Sequence, residues 1–419
     1  MRIAVVVHNG VKHDARVLKG AASLKAQGHD VRVFGLTPDE CQEFLLPNGV
    51  PVYLTHRDVS SAKARIEREG LPRGRASSIW TSFRIQGESV FESVKNTFHP
   101  DIIHMHDHLT LTAAAYYKKE FSCPLVWDAH EIYEDLASIE SVRAEVNAKI
   151  IRENARYVDG FITLNQSIAD FYHSRYPNLP DAILIPNAVE RMAQTVYDGR
   201  LHEAAKLRPQ QKVLLFQGGY SPNRGITALL EASASLTEDW SLVFMGWGKL
   251  ADEIKSYADA KSDRPSGQPQ VAMIPSAPHD ELLSWTAGAT LGTIPYENTG
   301  LNHLYCSPNK LWEYPAAGVP ILATDLPEMK KQIDKYGIGI TVRNELSPKQ
   351  IANSVNDLTD EAISRLKENC GQYSIAEAWQ NYEPKLTGLH AQLGKASGAI
   401  PTPWYEKITS EARKILSRK

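Results

Sequence analysis

Apolar runs of four or five residues recur along the chain, and between them lie stretches with helical spacing. Ile3–Val7, Val31–Phe34, Ile102–His106, Leu125–Asp128 and Gly160–Leu164 read as strands in the first half. Val213–Gln217, Leu242–Met245, Val271–Ile274, Thr290–Ile294 and Pro320–Thr324 do so in the second. Near-continuous hydrophobic strands separated by helices predict parallel sheets covered on both faces. Two such sets fit two doubly wound α/β domains better than one large sheet. A length of 419 residues also exceeds one ordinary core. The predicted join is LIPNAVERMAQTVYDGR, Leu184–Arg200, where a strand ends in a Pro-Asn turn and polar residues follow. Domains are therefore expected at 1–190 and 191–380, with 381–419 as a separate C-terminal segment.

In open α/β sheets, ligands collect beyond the carboxyl ends of the strands. That rule selects His8-Asn9-Gly10 after the first strand, followed by Asp14 as N-cap of a helix over Ala15–Ala26. It also selects HMHDH, His104–His108, and DAHE, Asp128–Glu131. In the second half it selects Gly218-Gly219, Gly246-Trp247-Gly248 and Ile274-Pro275. Facing strand-end loops of two domains would form a cleft. QGGYSPNRGITALLEA, Gln217–Ala232, reads as strand, glycine turn and helix. Its bare glycines and helix N-terminus suit a phosphate, with Arg224 as a bidentate partner, although an ordinary turn bearing a surface arginine has the same pattern. In YCSPNKLWEYPAAGVPILATD, Tyr305–Asp325, Pro308 opens a predicted helix, Asn309–Ala317 continues it and Gly318 ends it. Lys310 and Glu313, three residues apart, share one face of that helix.

Composition narrows the choice. The content is 42% hydrophobic and 23% charged, as in a soluble globular protein, and a formal charge of -3 gives no reason to expect nucleic acid binding. Cys41, Cys123, Cys306 and Cys370 form no CxxC pair and read as dispersed thiols of a reducing cytosol. MRIAVVVHNG begins as strand and turn rather than signal peptide, and no apolar run approaches a membrane span. The expected location is the cytoplasm, with the inner face of the cell membrane left open. The alternating histidines of HMHDH would share one face of a strand, either as structural or cleft residues or as ligands of a zinc site that lacks a fixed fourth member. His130 could bind an anion or a sugar hydroxyl, or cap a following helix. KARIEREGLPRGR, Lys63–Arg75, reads as a solvated loop or as a basic landing strip for a phosphorylated acceptor or anionic lipid. Trp404, Ile408, Ala412, Ile415 and Leu416 make one helical stripe in the tail, beside Lys407, Arg413, Lys414, Arg418 and Lys419. Such a helix would pack on the first domain or lie in a membrane interface.

Six segments in order resemble a GT-B glycosyltransferase, most similar to the retaining enzymes of glycosyltransferase family 4. They are HNGVKHDARVLKGAASLKAQGHDVRVFGL, DIIHMHDHLT, LVWDAHEIYED, LIPNAVE, QGGYSPNRGITALLEA and SPNKLWEYPAAGVPILATD. The resemblance covers the chain up to about Leu393. It implies two Rossmann-like domains, with the acceptor on the first, a nucleotide-sugar on the second and C-terminal helices returning to the first. Glu313 matches the family's ribose-binding glutamate, and His130 its donor-facing histidine. The family's diphosphate clamp is an arginine and, five residues on, a lysine; here Gly219 and Arg224 hold those positions. Tyr305 stands where the family has a second glutamate, and Ser307-Pro308-Asn309 replaces a glycine-rich segment.

The resulting expectation is a metal-independent retaining transfer of a hexose from a nucleotide diphosphate sugar to a hydroxyl acceptor. The acceptor would be a glycan, a lipid-linked sugar or a small molecule, in cell-surface polysaccharide or glycoconjugate assembly. No cofactor or metal ligand set is expected. His130, Arg224 and Lys310 are the catalytic candidates. Gly218, Gly219, Arg224, Gly246, Ile274, Tyr305, Ser307, Asn309, Lys310 and Glu313 are expected at the donor, and Gly10, Asp14, His106 and Asp107 at the acceptor. An inactive GT-B scaffold that binds a nucleotide-sugar or glycan, and a GT-B sugar-nucleotide epimerase, are the alternatives.

Overall fold

The computed structural model describes residues 1–57, 61–191, 196–260 and 264–396. It divides into two compact units: unit 1 holds Met1–Ile185 and the described residues from Glu383 onward, and unit 2 holds Pro186–Tyr382. The tail stripe from Trp404 to Lys419 lies outside the described residues. Among the described residues, no helix is long and apolar enough to cross a membrane.

Unit 1 carries an eight-stranded sheet made of β1 (Arg2–Val6), β2 (Asp30–Thr37), β3 (Gln42–Leu45), β4 (Pro51–His56), β5 (Ile102–His106), β6 (Leu125–Ala129), β7 (Gly160–Thr163) and β8 (Ala182–Leu184). Their order is β3-β4-β2-β1-β5-β6-β7-β8, and only β3 runs antiparallel to its neighbour. Unit 2 carries a six-stranded parallel sheet of β9 (Lys212–Tyr220), β10 (Trp240–Gly248), β11 (Val271–Ile274), β12 (Leu291–Ile294), β13 (Ile321–Thr324) and β14 (Gly339–Val342), in the order β11-β10-β9-β12-β13-β14. Each sheet starts at its centre, builds outward on one side and then on the other. The strand order therefore reverses between β1 and β5 and between β9 and β12, where crevices form.

All the predicted strands are present, with β3, β4, β8 and β14 in addition. The central ones are dry: every residue of β5, β6 and β7 is buried, as helices on both faces require. Asp14 caps the helix Ala15–Ala26 by accepting from the Val17 N–H at 3.1 Å. The final helix, Trp379–Ala396, brings His390 to a ring distance of 5.1 Å from His104 of β5. The basic segment is not a loop. It forms the helix Ala62–Glu69, a left-handed turn at Gly70 and the start of the helix Arg75–Thr97. Its charges are partly neutralised, because Arg65 bonds Glu69 at 2.7 Å and Glu88 at 2.9 Å, and Arg75 pairs with Glu140.

The split between β9 and β12 is bridged by one side chain. The two strands pair only at Leu214 and Leu215. Beyond that point the Tyr314 hydroxyl, on the helix Lys310–Ala316, donates to the Leu215 carbonyl at 2.9 Å and accepts from the Gln217 N–H at 3.2 Å. Tyr314 is fully buried, so Tyr314→Phe strands two backbone groups. Urea unfolding should show a loss of about 1–3 kcal/mol. A loss below about 0.5 kcal/mol, within the range of an ordinary surface substitution, would contradict the bridging role.

Candidate functional site

Strand β9 runs further than its apolar pattern suggests, through Gly218 and Gly219 to Tyr220, because β10 offers glycines alongside. Gly246 pairs with Gly218, and a Cβ on Gly246 would sit 2.0 Å from the Gly218 carbonyl oxygen. Gly218 itself has φ +104, and a Cβ there would lie 3.3 Å from the Lys310 ammonium. Only glycine allows this conformation and this approach together.

Lys310 and Glu313 share a helix face but not a partner. Glu313, half-buried, accepts from the Gln217 side-chain amide at 2.8 Å, and Gln217 in turn accepts from the Thr286 hydroxyl at 2.8 Å. Lys310 is 7% exposed and donates to the Tyr296 hydroxyl at 3.2 Å, with its ammonium 5.4 Å from that ring and 5.5 Å from Phe216. Arg224 bonds the same phenol oxygen, stacks over the ring at 4.6 Å and holds Ser221 Oγ at 3.0 Å. Among the described residues, neither cation has a carboxylate within ion-pair distance. The structure thus brings Gly218, Arg224, Lys310 and Glu313 together at the reversal point of the unit 2 sheet.

The remaining donor candidates are more dispersed. Gly219 is the penultimate residue of β9, and Ile274 ends β11 at the sheet edge, two strands from β9. Tyr305 follows the helical turn Leu301–Leu304, half-buried. Ser307 is buried, and its carbonyl accepts from Asn187 at 3.3 Å. Asn309 is the exposed residue that opens the helix, so Pro308 lies just outside it. The helix N-terminus after Arg224 differs from expectation. Glu297 accepts from the Gly225 N–H at 3.3 Å, so the protein's own carboxylate already stands at that end of the helix Ile226–Ser233.

In unit 1, Gly10 is exposed in the loop after β1, where the Asn9 side chain donates to Asp14 at 2.8 Å. Asp107 follows β5 with φ +64, uncommon for a residue other than glycine. Its carboxylate accepts from Tyr133 at 2.7 Å and meets His130 Nε2 at 3.0 Å. Burial alone would disfavour the His130 imidazolium, but the Asp107 charge outweighs it and pushes His130 up to about 9. Burial would likewise raise Asp107, and the His130 charge instead holds it well below the usual carboxylate range. No helix follows His130 directly; the next is Ser141–Asn154. His106 is buried with His104 and stacks on it at 4.5 Å, while both face Asp128 at 3.6–3.7 Å. The two histidines and Asp128 offer atoms within 4.8 Å of one another, an arrangement able to hold an ion. Both Asp128 oxygens, however, accept from Arg16 at 2.8 Å, so the cation at this position is a guanidinium.

Residues 14–188 match the family described as glycosyl transferase 4-like domain, and residues 211–361 match glycosyl transferases group 1. The chain belongs to the GT-B glycosyltransferases. Among solved structures, this transferase resembles sucrose-phosphate synthase from Thermosynechococcus elongatus at TM-score 0.74 and 15% identity, over 94% of this chain and 100% of that one. HepE of Anabaena in complex with UDP-glucose gives 0.68 and 12% over 94% and 100%. An E. coli trehalose-6-phosphate protein bound with UDP-2-fluoro glucose gives 0.67 and 11% over 96% and 100%. No curated protein matches significantly by sequence.

Reading the transferase by sequence missed Tyr296, Gln217, Arg16 and Tyr133. Tyr296 lies two residues beyond the strand predicted over Thr290–Ile294, so the strand-end rule, applied there too, reaches it.

The buried histidines give the transferase a pH dependence. Burial pushes His106 and His390 down to about 3 and His108 down to about 4. Between pH 6.5 and those values the unfolded chain binds protons that the folded chain refuses, so stability falls as pH drops below 6.5. His130 has the opposite sign: its contribution is fully present below pH 6.5 and is lost as pH rises through about 9. Calorimetric scans from pH 5 to 9.5 should show the highest melting temperature near neutrality and a steep fall toward pH 5. A flat profile on the acid side would contradict the neutral, buried state of these histidines.

Proposed function

We propose that this transferase moves a hexose from a nucleotide diphosphate sugar to a hydroxyl acceptor, with retention and without a metal. The supporting observation is the Lys310–Arg224 pair: two cations, one of them buried, with no carboxylate within ion-pair distance among the described residues, beside a glycine that opens the backbone. A diphosphate fits two unneutralised cations, and it is the group on which negative charge grows as the sugar leaves. Glu313, oriented by Gln217, suits the vicinal hydroxyls of a ribose. Relatives of the same fold hold UDP-glucose and a fluorinated analogue, which makes a UDP-sugar the first donor to try.

In this reading the bond between the anomeric carbon and the β-phosphate oxygen breaks, and a bond to the acceptor oxygen forms on the same face. The acceptor's proton passes to the departing phosphate oxygen, so no protein nucleophile is needed. Arg224 and Lys310 stabilise the leaving diphosphate, and His130, held as a cation by Asp107, is kept as a further catalytic candidate on the family resemblance. Retention and a role in cell-surface glycoconjugate assembly rest on the family resemblance.

The test incubates the protein with a panel of UDP-sugars, with and without hydroxyl acceptors, in excess EDTA. Release of UDP should require acceptor and survive chelation, and NMR should show the donor's anomeric configuration in the product. An epimerised sugar formed without acceptor would establish the epimerase, and tight binding without turnover across the panel would establish the scaffold. Activity lost on chelation and restored by manganese or zinc would overturn the metal-free chemistry.

A further inference from the structure

The phenol between the two cations does more than separate them. Lysine and arginine can only donate hydrogen bonds. Lys310 reaches the Tyr296 oxygen at 3.2 Å and Arg224 bonds it closely, so that oxygen accepts from both. The tyrosine's own proton must then go elsewhere, and among the described residues no acceptor receives it. The ring cannot readily turn away. It is 4% exposed, stacked on His303 at 5.5 Å and 28°, and His303 is itself tied by Nδ1 to the Glu297 carbonyl at 2.8 Å. A fixed O–H flanked by two positive charges is suited to an anionic oxygen, and phosphate oxygens offer acceptors only.

We propose that Tyr296 donates its hydroxyl proton as a hydrogen bond to the nucleotide's diphosphate, making a three-donor clamp with Lys310 and Arg224. This inference rests on the donor-site reading above. It gives Tyr296 two linked roles. Its oxygen positions both cations before ligand arrives, and its proton strengthens the contact as charge builds on the departing phosphate. The second role acts more on the transition state than on the bound substrate, and so on kcat more than on KM.

Tyr296→Phe separates these roles from simple packing, because the ring, its stacking and both cation contacts to its face are retained. Calorimetric titration with uridine, UMP and UDP reads the outcome. Wild type should bind UDP far more tightly than uridine. The variant, its fold checked by a native circular dichroism spectrum and a cooperative melt, should lose roughly ten- to a hundredfold in UDP affinity and leave uridine untouched. With an active donor, kcat should fall by a larger factor than KM rises. If wild type prefers UDP and the variant binds it equally well, Tyr296 is only a packing residue and the donor site stands. If wild type fails to prefer UDP over uridine, the donor-site reading falls, and this inference with it. A Tyr296→Leu protein should lose both UDP affinity and melting temperature; affinity retained by Leu would likewise overturn the clamp.

Discussion

A parallel sheet that reverses its strand order must part where it does so, and the chemistry of unit 2 depends on how the chain manages that parting. After Leu215, strand β9 no longer has β12 as a neighbour. The Tyr314 phenol satisfies the exposed backbone, which fixes the helix Lys310–Ala316 against the split. That helix then carries Glu313 to the Gln217 side chain and, one turn earlier, Lys310 to the space above Gly218. That hydroxyl, with the buried Leu311 and Trp312 of the same helix, holds both charged groups in place.

The two units treat charge in opposite ways at equivalent places. Unit 1 neutralises its own: Asp128 holds Arg16 and Asp107 holds His130. Unit 2 collects Lys310 and Arg224 on one phenol oxygen and, among the described residues, places no carboxylate within ion-pair distance of either. A desolvated cation without a counter-charge weakens a fold, and its retention at a sheet's reversal point is what the proposed diphosphate site would require. The nearby Glu297 does not answer that need, since it faces the Gly225 N–H instead.

What was legible in the sequence was what local pattern encodes. Buried central strands announce themselves as apolar runs, and the Asp14 cap and the shared face of Lys310 and Glu313 follow from spacing alone. The strands that escaped are at or near the sheet margins. β8 has three half-buried residues, β4 begins at a proline and alternates, β3 is a short antiparallel edge, and β14 is largely half-buried. None carries the full-burial signature. The pairs that define the sites were out of reach for a different reason. Arg16 and Asp128 are 112 residues apart, and Tyr296 is 72 residues from Arg224. Such pairings are created by strand order, which no local window contains.

In the proposed donor site, Lys310 is kept for an anion at a cost in stability. Thermal unfolding of Lys310→Met, with and without saturating UDP, tests it most directly. The variant without ligand should melt at or above the wild-type temperature, because a desolvated charge has been replaced by an apolar chain of similar length. The upward shift caused by UDP in wild type should be mostly lost. A variant that melts lower than wild type and still gains the full shift from UDP would contradict it.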